Sequence, residues 1–185
     1  MLEQPEHLVI PQRENAQVRS ISREVNLAWV AGILDGEGAL SVSLKVTAGR
    51  PYLDAKVRVY NTDVRMIQKL SQIYTEMGVV FFYSLNKKRK ENYKNQLGIC
   101  VGTQGSSLKL LEAVKPYLAN KQDFAKVMID VIKFVQSLPR AGATWSNDYA
   151  EKPEFKALME RCMAAKAFHI DPSTTTRKAS EALAW

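Results

Sequence analysis

The chain has 185 residues, which is enough for one domain with a proper hydrophobic core. Its formal net charge of +7 suits a polyanionic partner, either nucleic acid or an anionic membrane surface, without deciding between them. Two cysteines and two histidines, far apart in the sequence, are too few for a zinc site or a disulfide framework, and no apolar run approaches the roughly 18 residues that a membrane span needs.

The first predicted helix follows an N-terminal arm. Residues 1–22 show no clear periodicity, so we expect an extended arm outside a single domain that covers residues 23–185. This arm lacks the apolar core of a secretory signal, so we expect a protein that is not secreted. Ser22 is of a residue type that caps helices, and the spacing of the apolar residues Val25, Leu27, Val30 and Leu34 predicts a helix over about 23–36.

After this helix the apolar period changes from 3.6 to 2, which predicts strands. In a first hairpin, leucine and valine alternate with polar residues over 40–47 and again over 53–60. A second hairpin consists of "VVFFYSL", the basic turn "NKKRKEN" and "YKNQLGICV". Between the hairpins we predict a helix over about 62–77, capped by Asn61 or Thr62 and ended by Gly78.

Further helices are predicted over about 105–118, 122–137 and 153–168. The order α-β-β-α-β-β-α predicts an α+β fold with a four-stranded antiparallel saddle sheet and helices on one of its faces. The other face is left with serine, lysine, arginine, aspartate, glutamine and asparagine. Such a face is either an ordinary solvated surface or a saddle that enters a DNA groove, where lysine and arginine bond guanine.

The stretch "LAWVAGILDGEGAL" resembles the signature of the LAGLIDADG homing endonucleases. The positions that match the signature are Leu27, Ala31, Gly32, Leu34, Asp35, Gly36, Glu37 and Gly38. The signature occurs once, as in the single-motif branch whose members are homodimers. The segment "KPYLANKQDFAKVMIDVI" and the tail "DPSTTTRKASEAL" resemble the I-CreI-like subgroup, so the resemblance extends from Leu27 to the end of the chain.

This resemblance implies a metal-dependent active site at the end of the signature helix. Glu37 would be the direct metal ligand, together with the Gly36 carbonyl, whereas Asp35 would be structural. Because the ligands are oxygens, we expect Mg²⁺, with Mn²⁺ able to substitute and Ca²⁺ binding without supporting cleavage. Lys121 would lie near the scissile phosphate, and Asn61 would order water there, with Arg65 or Arg58 as a nearby cation.

The resemblance also implies contact surfaces. Small residues at Ala28, Ala31 and Gly32 would let two signature helices approach each other across a dimer axis. Outward strand residues would read the major groove, the basic turn would reach phosphates or outer bases, and the tail would contact the DNA backbone. The predicted DNA-binding residues are Ser41, Ser43, Lys45, Asp54, Lys56, Arg58, Lys87, Lys88, Arg89, Lys94, Gln96, Arg177 and Lys178.

The expected activity is therefore that of an intron-encoded, Mg²⁺-dependent hydrolase, a homodimeric endonuclease that cuts a long pseudo-palindromic DNA site and leaves 3′ overhangs. We expect it in an organelle, chloroplast or mitochondrion, or in a prokaryotic cytoplasm, and not at a membrane. Two alternatives on the same fold stay open: a maturase that binds intron RNA, and a catalytically silent DNA-binding regulator. A third alternative is a chance match on an unrelated α+β domain.

Overall fold

The computed structural model describes residues 12–47, 50–86, 94–138, 140–141, 144–145 and 150–167. Its helices are α1 (Gln12–Glu37), α2 (Val64–Glu76), α3 (Gln104–Val114), α4 (Gln122–Ser137) and α5 (Pro153–Ala167), with a 3₁₀ turn at Lys115–Tyr117. Its strands are β1 (Gly38–Thr47), β2 (Arg50–Asn61), β3 (Phe82–Asn86), β4 (Gln96–Val101), β5 (Arg140–Ala141) and β6 (Thr144–Trp145). The predicted order of helices and strands is confirmed, and the short β5–β6 pair is an addition to it.

Helix α1 begins earlier than predicted. The expectation of an extended arm is wrong for residues 12–22, which form the first turns of α1, and Ser22 lies inside the helix instead of capping it. Residues 12–31 contain neither glycine nor proline and are rich in glutamine, arginine, glutamate and alanine, which favour helix by intrinsic propensity. Intrinsic helix propensity, without an apolar stripe, therefore accounts for the first turns of α1.

The main sheet is antiparallel throughout and has the strand order β1-β2-β4-β3. The register pairs Ser43 with Asp54 across β1 and β2, and Arg58 with Cys100 across β2 and β4. Because paired residues share a face of a sheet, this register divides the strands into one apolar and one polar face. The predicted alternation is confirmed by burial along the first hairpin, whereas burial does not alternate along β3 and β4.

The hydrophobic core lies between the apolar face of the sheet and the helices. The core includes Val57 and Val59 of β2 and Ile99 of β4, each of which is at most 1% exposed to solvent. Helices α1, α2, α3 and α4 all contact the main sheet, and α5 packs on α4. The fully buried hydroxyl of Ser107 in α3 donates to the carbonyl of Ala55 over 3.1 Å and ties that helix to β2.

The ends of α2 show how local chemistry sets helix boundaries. The N-cap is Asp63, not the predicted Asn61 or Thr62, and its carboxylate accepts a hydrogen bond from the backbone N–H of Arg65 at 2.9 Å. At the other end Gly78 has φ +62°, a left-handed conformation that glycine adopts without steric cost. The predicted end of the helix is confirmed. In the described part of the chain, no helix is both long and apolar enough to cross a membrane.

Candidate active site and nucleic-acid interface

The carboxylate of Asp35 joins the end of α1 to the loop before α4. It accepts hydrogen bonds from the backbone N–H groups of Ala119, at 2.7 Å, and Lys121, at 2.9 Å. Both oxygens of the carboxylate are used, and each partner is a backbone group. The structural role expected for Asp35 is confirmed by these two contacts.

Lys121 completes the same junction from the opposite direction. Its Nζ donates to the carbonyl oxygens of Leu34 at 2.6 Å, Asp35 at 2.9 Å and Gly38 at 2.7 Å. The last carbonyls of a helix lack partners within the helix, and an ammonium group has three donors. Lys121 therefore uses its three donors to cap the end of α1, and we call this junction of Asp35 and Lys121 the helix-end clamp.

The electrostatics of Lys121 reflect this half-buried position. Burial lowers the pKa of its ammonium group below the ordinary value, while the nearby carboxylates of Asp35 and Glu37 act in the opposite direction. The sequence predicted Lys121 for a contact with the scissile phosphate. The structure places Lys121 near Glu37 with its donors directed to backbone oxygens, and its contact with a phosphate remains a prediction.

Glu37 is the last residue of α1, and its side chain is exposed. It stands between the clamped Asp35 and Gly38, the first residue of β1. A Cβ on Gly38 would lie 2.6 Å from the Cα and the carbonyl oxygen of Leu34, so only glycine allows the strand to leave the helix at this angle. The clamp and this tight turn hold the backbone on both sides of an exposed carboxylate.

The donor set at this turn fits a magnesium ion shared with a phosphate. Mg²⁺ in proteins takes one or two carboxylates, keeps several waters and completes its shell with substrate phosphates. Glu37 offers one carboxylate, and the carbonyl of Gly36 is not among the three that Lys121 binds. Within the described residues no three His, Cys, Asp or Glu side chains cluster.

Asn61 and Arg65 lie at the junction of β2 and α2. The Oδ1 atom of Asn61 accepts a hydrogen bond from the backbone N–H of Asp63 at 2.8 Å, which is a local turn contact. Arg65 is paired with the carboxylate of Asp63, with its Nη2 atom 3.2 Å from Oδ2. That guanidinium holds the pKa of Asp63 below its usual range. The role predicted for Asn61 in ordering water and that of Arg65 as a nearby cation remain predictions.

The predicted base-reading residues share one face of the sheet. Paired positions in the register place them together: Ser41 with Lys56, Ser43 with Asp54, and Arg58 beside Cys100. Gln96 lies on the same face through its pairing with Asn86 on the edge strand β3. We call this surface the polar sheet face. Lys94 is exposed and precedes β4, whereas Lys87, Lys88, Arg89, Arg177 and Lys178 lie outside the described residues.

The predicted binding set lacks several side chains of the polar sheet face, among them Tyr52, Tyr60, Phe82, Ser84 and Asn86. The Tyr60 hydroxyl accepts a hydrogen bond from Ser84 at 3.2 Å, and its ring lies over Gly98, where a Cβ would collide with it. Asn86 donates to Gln96 over 3.2 Å. Alternation along β2 had marked Tyr60 as outward, but the β3 members needed the register of β3 against β4.

A buried carboxylate lies in the middle of the polar sheet face. Asp54 has only 8% of its side chain exposed, and it forms ion pairs with both Lys45 and Lys56. Burial would raise the pKa of Asp54, but hydrogen bonds from the two lysines outweigh burial and lower the pKa below its ordinary value. The same contact raises the pKa of Lys45. Three predicted DNA-contacting residues therefore contact one another.

Comparison with known proteins finds similarity to solved structures, and this similarity is in the fold. No protein-family profile matches the chain, and no curated protein matches it. The chain is similar to homing endonuclease I-CvuI in complex with its target (TM-score 0.58, 15% identity, 84% of this chain and 89% of that chain). It is also similar to an archaeal intron-encoded homing endonuclease complexed with DNA (TM-score 0.56, 16% identity, 84% and 89%). This chain has the LAGLIDADG homing endonuclease fold.

The extent of the likeness agrees with a single-motif form of the LAGLIDADG fold. The chain covers 43% of LAGLIDADG homing endonuclease I-GzeII in complex with its DNA target, with TM-score 0.50, 14% identity and 76% of this chain. It covers nearly all of I-CvuI. The I-CreI-like subgroup to which the sequence pointed fits these matches.

The LAGLIDADG signature helix α1 carries an exposed stripe of mostly small residues. Val25, Ala28, Gly32 and Gly36 fall on one side of the helix, and a Cβ on either glycine would meet nothing within 4 Å. We call this surface the small-residue stripe. Ala31, in contrast, is completely buried in the chain's own core, so the prediction that it lies at a dimer interface is wrong. Val25 was expected on the core side and is 62% exposed.

Proposed function

We propose that this protein is a site-specific double-stranded DNA endonuclease that hydrolyses phosphodiester bonds with Mg²⁺ bound at Glu37. The observation that carries the proposal is an exposed carboxylate held by the helix-end clamp at the edge of a sheet whose polar face carries cationic side chains. Solved structures of the same fold support it, because they are homing endonucleases in complex with their DNA targets.

In the proposed mechanism, Glu37 and the Gly36 carbonyl hold the metal ion. A bound divalent ion would supply activation of water and stabilisation of charge at the phosphate. The chain supplies position: Asp35 and Lys121 fix the backbone on the helix side of Glu37, and Gly38 fixes it on the strand side. Lys121 also brings a positive charge beside the phosphate site, which favours a developing negative charge.

We further propose that the active form is a homodimer. A glycine inside a helix costs about 1 kcal/mol relative to alanine, and among the described residues no atom crowds Gly32 or Gly36. Close approach of a second α1 along the small-residue stripe would account for both glycines. Two-fold symmetry then requires a pseudo-palindromic target that is cut once on each strand. The 3′ overhangs are a further part of the proposal, taken from the family resemblance.

The test is cleavage of a randomised palindromic DNA library with Mg²⁺, with Ca²⁺ and with the Glu37→Gln variant. We expect a discrete cut site that requires both Mg²⁺ and Glu37. The matched control is Glu24→Gln, which removes an exposed carboxylate from the same helix and should cut like the unmodified protein. Tight duplex binding without cutting would favour the silent regulator, and absence of duplex binding would favour a maturase on intron RNA.

A further inference from the structure

The proposed function leaves the position of Asp54 unexplained. A carboxylate on a surface that meets DNA is repelled by phosphates, and a buried carboxylate is costly unless it is paired. Asp54 is nevertheless the most buried charged side chain of the polar sheet face, at 8% exposed, below Lys56 at 22% and Lys45 at 45%. Both lysines therefore lie between the carboxylate and solvent.

The two ammonium groups share this one short anchor. Lys56 Nζ lies 2.8 Å from Oδ1 and 3.0 Å from Oδ2 of Asp54, and Lys45 Nζ contacts Oδ2. Aspartate has a short side chain, so it draws the ends of two long side chains close to the sheet. An ammonium group has three donors and is acceptor-free, so each lysine keeps donors for a further partner.

We propose that Asp54 is a positioning residue that holds Lys45 and Lys56 as a fixed donor pair for reading guanine in the major groove. This inference rests on the proposed function. In the major groove guanine presents two adjacent acceptors, N7 and O6, which suit a lysine donor. Anchored to Asp54, the lysines are held against the polar sheet face, the surface proposed to face the base edges. The net charge of the triad falls to +1, which weakens its attraction to phosphates that carry no sequence information.

A direct contact of Asp54 with DNA is the competing chemistry. A carboxylate can accept a hydrogen bond from the amino group of cytosine or adenine. For that contact the lysines would have to leave their anchor and uncover a side chain that is 8% exposed. The observed order of burial therefore favours the positioning role.

The experiment selects binding sites from a randomised duplex library in Ca²⁺. It compares the protein without substitutions, called the full chain below, with the Asp54→Asn variant. We expect the full chain to select guanine at one or two positions in each half-site, and Asp54→Asn to lose that preference about tenfold. Replacing the selected guanine by 7-deazaguanine should weaken binding about tenfold for the full chain and less than twofold for Asp54→Asn. Release of the lysines should also make the salt dependence of Asp54→Asn steeper by about 1–2 in log–log slope.

Two controls separate positioning from folding and from general charge effects. Asp130→Asn removes a carboxylate that pairs with Arg161 away from the polar sheet face, and it should leave all three readouts unchanged. If Asp54→Asn does not fold, Lys56→Met tests the same donor pair while Asp54 keeps Lys45, and it should lose the sensitivity to 7-deazaguanine.

The remaining outcomes overturn the inference in distinguishable ways. Equal base preference and equal 7-deazaguanine sensitivity in the two proteins would overturn the positioning role. Selection of cytosine or adenine that Asp54→Asn loses would assign the carboxylate a direct contact instead. Failure of the full chain to select any duplex site would overturn the proposed function together with this inference.

Discussion

At the scale of single residues, Lys121 and Asp35 show how one junction combines structure with chemistry. The Asp35 carboxylate accepts a hydrogen bond from the backbone N–H of Lys121, and the Lys121 ammonium group donates to the backbone carbonyl of Asp35. These contacts hold the end of α1 against the loop before α4. The sequence resemblance assigned Lys121 to the phosphate, and the free protein uses the same ammonium group to hold the turn that presents Glu37. Positioning of Glu37 is therefore a role of Lys121 that exists before DNA is bound.

Lys121→Met tests this role through stability. The substitution removes the donor from the carbonyl oxygens of Leu34 and Asp35 in α1 and of Gly38 in β1, so we expect the free energy of unfolding to fall by about 1–3 kcal/mol. Denaturant unfolding measures the change. Lys126→Met, which removes an exposed lysine from the adjoining helix α4, should shift the midpoint little. Equal stability of the two variants would contradict the clamp.

At the scale of elements, α1 is a helix with two working sides. One side, including Val30, Ala31 and Leu34, is completely buried against the chain's own core. The opposite side is the small-residue stripe, which the described residues leave uncovered. The signature therefore serves the core and the proposed dimer with different residues, although its alanines look equivalent in the sequence.

Gly32→Leu separates these two sides of the helix. Leucine favours helix more than glycine does, and open space surrounds the position within one chain, so the monomer should not lose stability. The bulkier side chain should block close approach of a second α1. We expect sedimentation equilibrium to show a mass near twice 20.8 kDa for the unmodified chain and near 20.8 kDa for the variant.

Gly105→Leu is the matched control for this substitution, since Gly105 is also an exposed helical glycine with open space around it. It should stay dimeric. A Gly32→Leu protein that keeps the dimer mass would contradict the proposed interface.

At the scale of the whole molecule, charge is distributed unevenly with respect to the sheet. The chain has a net charge of +7, and the polar sheet face holds Lys45, Lys56 and Arg58 while its only buried carboxylate, within the described residues, is Asp54. The opposite face is covered by helices. A polyanion is therefore expected to bind on the polar sheet face and to release counterions as it does so.

The salt dependence of duplex binding tests this expectation for the molecule as a whole. Because several lysines and arginines of each chain are proposed to contact phosphates, binding should weaken steeply with salt. We expect the logarithm of the binding constant to fall with a slope between about −5 and −10 against the logarithm of salt concentration. Filter binding or fluorescence anisotropy at about 50 to 300 mM salt measures this slope. A slope shallower than about −2 would contradict broad contact with the DNA backbone.

Much of the fold was predictable because its signals are local. The change from a period of 3.6 to a period of 2 marked the transition from α1 to β1 at Gly38, and α4 was predicted with its observed bounds. The first turns of α1 were missed because their helical tendency comes from propensity and not from an apolar stripe. The strand order and the β3 members of the polar sheet face depend on the pairing of β3 and β2 with β4, which no local pattern contains.

The sequence by itself determined the element order, the two faces of the sheet, the single signature and its exposed acid at Glu37, since each of these depends on residues close together in the chain. Only the tertiary structure decided that Lys121 caps the end of α1, since its three carbonyl acceptors lie 83–87 positions earlier in the chain. It also decided that Asp54 anchors Lys45 and Lys56, and that Ala31 faces inward while Gly32 faces out. These are contacts between side chains and distant backbone or across a strand register, and their energies exist only once the elements have packed.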